Sequence, residues 1–333
     1  MAANEIGNIS EMDNWETSER KTFLQRMFSG IARFAQKKPL GFVCGIIVIF
    51  FFIVGDVVPA MANKIALTAG IGDEPVPYVA DFLEKQTSLV YPYAKQDLRA
   101  RLQGSSSDHL LGTDAIGRDI FSRLLYGART AVVVAFGAVL IQQFIASIFG
   151  ISAGYYGGWI DKGLYRVVDV FQALPGLVVL ITILGIFGSG LWQLVFVIGA
   201  LFGPTQSRVI RGQTLYIMAS PFIEAARVVG AGDMRIMTRY VLPNVFALIV
   251  LSATLSLGFV VLLEATLSFL GYGLPPPFPS WGQMLSLEGR QYMRTQPGLA
   301  IYPGLAIGLL VFSFNLFGDA LRDALDPRLR GSR

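Results

Sequence analysis

Apolar residues fall into six long blocks, and the polar residues gather between them. A block of about 20 residues crosses the hydrocarbon of a bilayer as a helix, with every backbone polar group satisfied inside the segment. The first block, residues 39–61, is broken only by Asp56 near its far end. The second covers 130–154 and carries Gln142 and Gln143 at mid-depth. The third runs over 169–188 and the fourth over 191–207, short and meeting Pro204. The fifth spans 245–271 and the sixth 299–318. The pattern predicts an all-α integral membrane protein with six transmembrane helices.

Lysine and arginine in the short flanking loops set the orientation. With the N-terminus inside, the cytoplasm receives Arg20, Lys21, Arg26, Arg33, Lys37 and Lys38, then Lys162 and Arg166, then Arg208, Arg211, Arg227, Arg235 and Arg239, and finally Arg322, Arg328, Arg330 and Arg333. The outer loop at 271–298 holds only Arg290 and Arg294. Both termini are then cytoplasmic. The chain divides into a cytoplasmic tail (1–38), a first helix (39–61), an extracytoplasmic segment (62–129), a transmembrane core (130–318) and a cytoplasmic tail (319–333).

In the extracytoplasmic segment, "HLLGTDAIGRDIFSRLLYGART" opens on a turn where Thr113 or Asp114 can cap a helix. Ile116, Ile120, Phe121, Leu124, Leu125 and Ala128 follow at helical spacing, with Arg118, Asp119, Ser122 and Arg123 on the other side. This predicts a helix lying on the outer membrane surface.

The loop 208–243 lies between the fourth and fifth blocks. Ser220 and Pro221 make a helix start, Gly230 to Gly232 break the helix, Asp233 can cap a second short one, and Pro243 ends it. Two short helices at a glycine turn form a knob on the cytoplasmic face. Ala225, Ala226 and the hinge glycine allow close approach of another surface, and Glu224 offers a fixed charge; a solvated amphipathic loop reads equally well from local physics.

Composition narrows the classes. The chain is 53% hydrophobic and 15% charged, which places it in a bilayer. A net charge of +4 over 333 residues makes nucleic acid a poor partner. One cysteine, Cys44, excludes an internal disulfide framework, and one histidine, His109, argues against a metal site. The N-terminus "MAANEIGNISEMDNWETSERKTFLQRMF" lacks a nearby apolar core and reads as a retained tail rather than a cleaved signal. No Gly-x-x-x-x-Gly-Lys-[Ser/Thr] loop is present, so ATP belongs to partner chains and this chain is no enzyme. An ion-coupled carrier would show inverted repeats or a chain of intramembrane carboxylates, and a metalloenzyme would show a pattern such as His-Glu-x-x-His.

Charges inside a membrane cost about 2.5–3.5 kcal/mol each on insertion scales, so each needs an account. Asp169 opens the third block three residues after Arg166, the spacing of an ion pair on one helix face. Glu264, late in the fifth block, either lines a pathway or holds the external "SFLGYGLPPP" loop, a structural role being the more usual. Gln142 and Gln143 face a pathway or bond to another helix. Pro175 is a candidate kink.

The stretch "EAARVVGAGDMRIMTRYVLPN" resembles the EAA signature of permease subunits of binding-protein-dependent ABC importers. Glu224, Ala225, Ala226, Gly230, Leu242 and Pro243 match it, while Tyr240 stands where an aliphatic residue is usual. "HLLGTDAIGRDIFSRLLYGAR", "GYYGGWIDKGLYRVVDVFQALPGL" and "LLEATLSFLGYGLPPPFPSWGQML" resemble the C-type permease of dipeptide and oligopeptide importers, from about residue 35 to the C-terminus. The N-terminal tail and the segment 62–107 are longer than in the usual member.

The resemblance implies a type I importer permease in the bacterial inner membrane. It implies a coupling helix in the EAA loop that fits a cleft on an ATPase, so that ATP-driven closure turns the permease outward. The implied partners are a homologous B-type permease, two cytoplasmic ATPases that carry ATP and Mg, and an extracytoplasmic solute-binding protein, with no cofactor in this chain. Peptides are the implied cargo; nickel chelates and glutathione-like solutes are the alternatives within the same family.

Overall fold

A computed structural model describes residues 34–36, 38–53 and 94–325, and among these the ordered elements are helical. Residues 62–93 of the extracytoplasmic segment, Asp56, nearly all of the N-terminal tail and residues 326–333 lie outside the described residues.

Helix α1 (Pro39–Phe52) packs along the last helix, α9 (Gly298–Leu325). The contact is close because a side chain at Gly41 would strike Ala320, and Lys38 reaches Asp323 at 2.5 Å. Helix α2 (Ile120–Tyr156) is 37 residues long, about 55 Å at 1.5 Å per residue, and outreaches the roughly 30 Å hydrocarbon. Its neighbour α5 (Leu191–Met218) lies against it through small residues. A Cβ at Gly150 would meet the Ser207 carbonyl at 2.7 Å, and one at Gly199 would meet that of Ala138 at 2.8 Å. Membrane helices gain little from expelling water, so this close fit supplies the dispersion contacts that hold them.

The third apolar block is not one straight helix. Helix α3 (Gly158–Ala173) and helix α4 (Gly176–Phe187) meet at 85°. Leu174 before the proline is extended (φ −94°, ψ 138°), as crowding by the proline ring demands, and Pro175 has no N–H to continue the ladder. The fourth block is longer than its apolar pattern: α5 passes Pro204 and runs to Met218. Hydroxyls beside the proline take up local carbonyls, Ser207 donating to Pro204 at 2.6 Å and Thr205 to Phe202 at 2.8 Å.

Two further expectations are corrected. Among the described residues of the outer segment there is no separate surface helix: Thr113 and Asp119 form a bridge around a turn at 115–117, and α2 starts at Ile120, capped by Asp119 rather than Thr113 or Asp114. Arg118, Asp119, Ser122 and Arg123 are buried, not displayed to solvent. Pro243 likewise ends nothing. Helix α7 runs unbroken over Asp233–Phe269, with a wider turn at Met237–Val241 where the Leu242 N–H bonds five residues back to Met237. That widening accommodates the donor missing at Pro243, and the Asn244 side chain donates to the Tyr240 carbonyl at 2.6 Å.

The outer cap joins residues 94–119 to the loop after α7, which contains a short helix, α8 (Trp281–Met284). Trp281 is buried against Gly127 and donates to the Leu124 carbonyl at 2.9 Å. The main core lies below it, where Ala135 and Ala138 of α2 meet Leu184 of α4, Ile198 of α5, Val260 of α7 and Phe314 of α9. Three of these helices, α2, α7 and α9, are long and apolar enough to cross a membrane, and the bent α3–α4 pair passes the same test only when its two helices are taken together as one broken span.

Candidate functional site

Helix α6 (Pro221–Val228) lies between the end of α5 and the start of α7. Proline at its first position suits a helix start, but the Ser220 side chain makes no capping bond; the Ser220 backbone carbonyl accepts from Ile223 at 3.0 Å instead. The C-terminus is closed by a glycine turn. Gly230 adopts φ +85°, its N–H bonds to Arg227 at 2.9 Å, and the Ala231 N–H bonds to Ala226 at 3.0 Å.

One side of α6 is an anchor. Ile223 is fully buried and Ala226 nearly so, and Ile223 packs into a second apolar core with Ala146, Ile151, Ile210, Ile236 and Val245. The other side is open: Glu224, Ala225 and Gly230 are exposed, and Val228 and Val229 are 87% and 88% exposed. Of the EAA residues, Ala226 therefore fastens the helix, while Glu224, Ala225 and Gly230 face outward. Leu242 and Pro243 sit apart on α7, both exposed. Asp233 opens α7 as its first residue, with Gly232 before it in the capping position.

Polar contacts fix this knob to the membrane helices. Tyr155, in the last turn of α2, donates to Asp233 at 2.6 Å, and the Arg227 guanidinium lies 5.9 Å over the Tyr155 ring. Beside it, Arg211 of α5 grips both oxygens of Asp161 on α3, at 2.7 and 2.6 Å, and stacks 4.7 Å over Tyr165. Asp169 pairs with Arg208 at 2.7 Å and not with Arg166, because the amphipathic α3 lies across α5 and turns its acids toward the neighbouring helix. No single loop contains both members of any of these pairs, so spacing along the chain does not reveal them.

The polar residues of the spans are placed away from this knob. Ser252 of α7 donates to Gln143, 3.1 Å, and Gln142 to Ser256, 3.4 Å, so both glutamines bond between helices. Glu264 is buried and accepts from Ser268 one turn later on its own helix at 2.7 Å. His109 pairs with Asp119 at 3.0 Å, and no group of three metal-ligating side chains occurs among the described residues.

The outer cap holds a cluster that sequence pattern alone missed. Asp114, 1% exposed, accepts from the backbone N–H groups of Ile116 and Arg118 and from the Arg118 guanidinium. Arg118 then reaches Glu288 at 2.7 Å. The Glu288 carboxyl is raised above its ordinary value, first by burial and then by the negative charge of Asp114, against the pull of Arg118 and Arg123. The signal was present in the sequence as Arg-Asp and Ser-Arg pairs, but their spacing matched a solvated helix face.

The geometry is that of an apolar helical bundle with one exposed, apolar-tipped projection. Residues 146–331 match the model of the binding-protein-dependent transport system inner membrane component. Over 228 residues the chain is 43% identical to a glutathione transport system permease protein of Pectobacterium atrosepticum, covering 68% of this chain and 75% of that relative. It is 39% identical over 268 residues to a dipeptide transport system permease protein of Alkalihalophilus pseudofirmus, covering 80% of this chain and 87% of that one. In fold it resembles a chain of the inward-facing MetNI methionine ABC transporter, with a TM-score of 0.50 and 22% identity over 61% of this chain and 96% of the other. The chain belongs to the binding-protein-dependent transport system inner membrane components, and is a multi-pass inner-membrane permease with the helical type I fold.

Proposed function

We propose that this permease forms half of the translocation pathway of an ATP-driven importer of short peptides, and that α6 is its coupling to the ATPase. The observation that carries the coupling is the two-sided build of α6: Ile223 and Ala226 are locked into the core, and Glu224, Ala225, Val228, Val229 and Gly230 are left exposed. Adjacent exposed valines on a rigid projection fit a protein partner's cleft. A force on this tip passes to α2 through Tyr155 and Asp233, and to α7 through its continuous backbone.

Peptide cargo rests on the relatives named for dipeptide and glutathione transport. Glutathione is itself a modified tripeptide, so one cargo class covers both. The complete assembly on this reading contains a homologous B-type permease, two cytoplasmic ABC ATPases that bind ATP and Mg, and an extracytoplasmic solute-binding protein. Residues 130–318 are the permease core, and 208–243 are its coupling loop.

The test is uptake by proteoliposomes holding the full complex, combined with a Val229→Cys variant cross-linked to cysteines placed on the ATPase surface. ATP-dependent uptake of a labelled dipeptide and a specific α6–ATPase cross-link are expected. Uptake driven by an ion gradient without ATP would overturn the reading.

A further inference from the structure

Between α2 and the inner half of α7 lies an open groove of about 640 Å³, within the range of about 300–1,000 Å³ usual for small-molecule sites. Its rim is apolar: Leu140, Phe144 and Phe246 are 71%, 66% and 59% exposed. Its α2 wall carries Gln143, Ser147 and Ser152. Gln143 is only 6% exposed, Ser252 holds one end of its amide, and the other end, Nε2, has no hydrogen-bond partner among the described residues. A buried amide with a free end is unfavourable unless something brings it a partner.

The identity of that partner follows from what each occupant has to offer. A lipid tail has no acceptor to bring, and a neighbouring membrane helix has spent its backbone groups on its own ladder and has only side chains left to offer. An extended peptide has a free N–H and C=O at every residue. The spacing agrees: Gln143 and Ser147, four residues apart, share one side of α2 and lie about 6 Å apart along it, close to the roughly 6.6–6.8 Å that two residues of an extended chain span.

We propose that this groove is a subsite for the backbone of a peptide in transit, with the Gln143 amide bonding one peptide group and Ser147 facing the next on the same side. The proposal rests on the peptide-importer reading given above.

The experiment compares uptake of labelled tri-alanine with that of its analogue in which one backbone amide is an ester, which is a weaker acceptor and no donor. Proteoliposomes of the full complex carry the wild-type chain or Gln143→Leu, with assembly checked by recovery of all subunits. The binding protein's own preference is common to both, so a change in the ratio reports the permease. The wild type is expected to favour tri-alanine, and Gln143→Leu to lose about tenfold in tri-alanine uptake and most of the preference. A variant that imports with the wild-type ratio overturns the subsite alone. A wild-type complex that hydrolyses ATP but imports neither compound overturns the peptide reading and the subsite with it. If Gln143→Leu does not assemble, Ser147→Ala decides the same question, a reduced ratio supporting the subsite and an unchanged one overturning it.

Discussion

The Tyr155 hydroxyl donates to Asp233 at 2.6 Å, joining the last turn of α2 to the first residue of α7 across 78 residues of chain. Arg227 of α6 covers the same ring. One aromatic side chain thus touches the two membrane helices and the projection between them.

Tyr155→Phe removes the bond and keeps the ring. The acceptor is a carboxylate but the site is exposed, so the net loss is about 1 kcal/mol, a factor of about 5 if the tether is needed to transmit motion. Substrate-stimulated ATP hydrolysis in the reconstituted complex is expected to fall by that factor while the subunits still assemble. Stimulation at the wild-type level would show that α6 moves the membrane helices by another route.

Gly230 separates backbone strain from crowding. Its φ is +85°, and a Cβ there would meet nothing within 4 Å, so the penalty of substitution is conformational, about 1–2 kcal/mol for an ordinary L-residue. Coupled ATP hydrolysis is expected to rank Gly above Asn above Val at this position, with membrane insertion unchanged, because asparagine tolerates the left-handed region and a β-branched residue does not. Glu224→Lys, on the exposed side of α6, is expected to uncouple without any strain. Full coupling in Gly230→Val would mean that the turn's direction is immaterial.

Sequence showed the helices better than their joints. Apolar run length identified α2, α7 and α9, since a bilayer leaves few other ways to satisfy the backbone. Prolines read unevenly: Pro175, the candidate kink, does bend the chain, by 85°, while Pro204 lies inside a continuous helix and Pro243 inside another. The difference lies in packing that no local window contains: α5 lies against α2 on both sides of Pro204, and a wider turn precedes Leu242. The EAA residues were visible as a motif, but their division into Ala226 as anchor and Glu224 as display needed the packed core. Arg166 was the nearest base to Asp169 in sequence; Arg208 is the nearest in space.

The α3–α5 junction offers a matched pair of tests. Arg211 and Asp161 meet through two bonds with side chains 32% and 18% exposed, whereas Arg208 and Asp169 meet through one, 47% and 54% exposed. A double-mutant cycle to alanine, read by thermal unfolding of the detergent-solubilised complex, is expected to give a coupling of about 1 kcal/mol for the first pair and close to zero for the second. Equal couplings would mean that the two-pronged geometry and partial burial contribute nothing.

At the opposite face, Glu288 makes stability depend on pH with a definite sign. Its carboxyl is raised in the folded chain by burial and by Asp114, while the same group in the unfolded chain titrates near pH 4.3 or so. The folded state therefore holds this proton more firmly than the unfolded state. Its contribution to stability is complete below the unfolded value and is lost as pH rises through the folded one. Glu288→Gln keeps an oxygen for Arg118, which now sits at 2.7 Å from Glu288, and cannot titrate. The midpoint of thermal unfolding, followed from about pH 4 to 8, is expected to decline less with pH in Glu288→Gln than in the wild type. An identical slope in both would place the pH dependence of the outer cap on other groups and reduce Glu288 to a tether between residues 114–118 and the turn after α8.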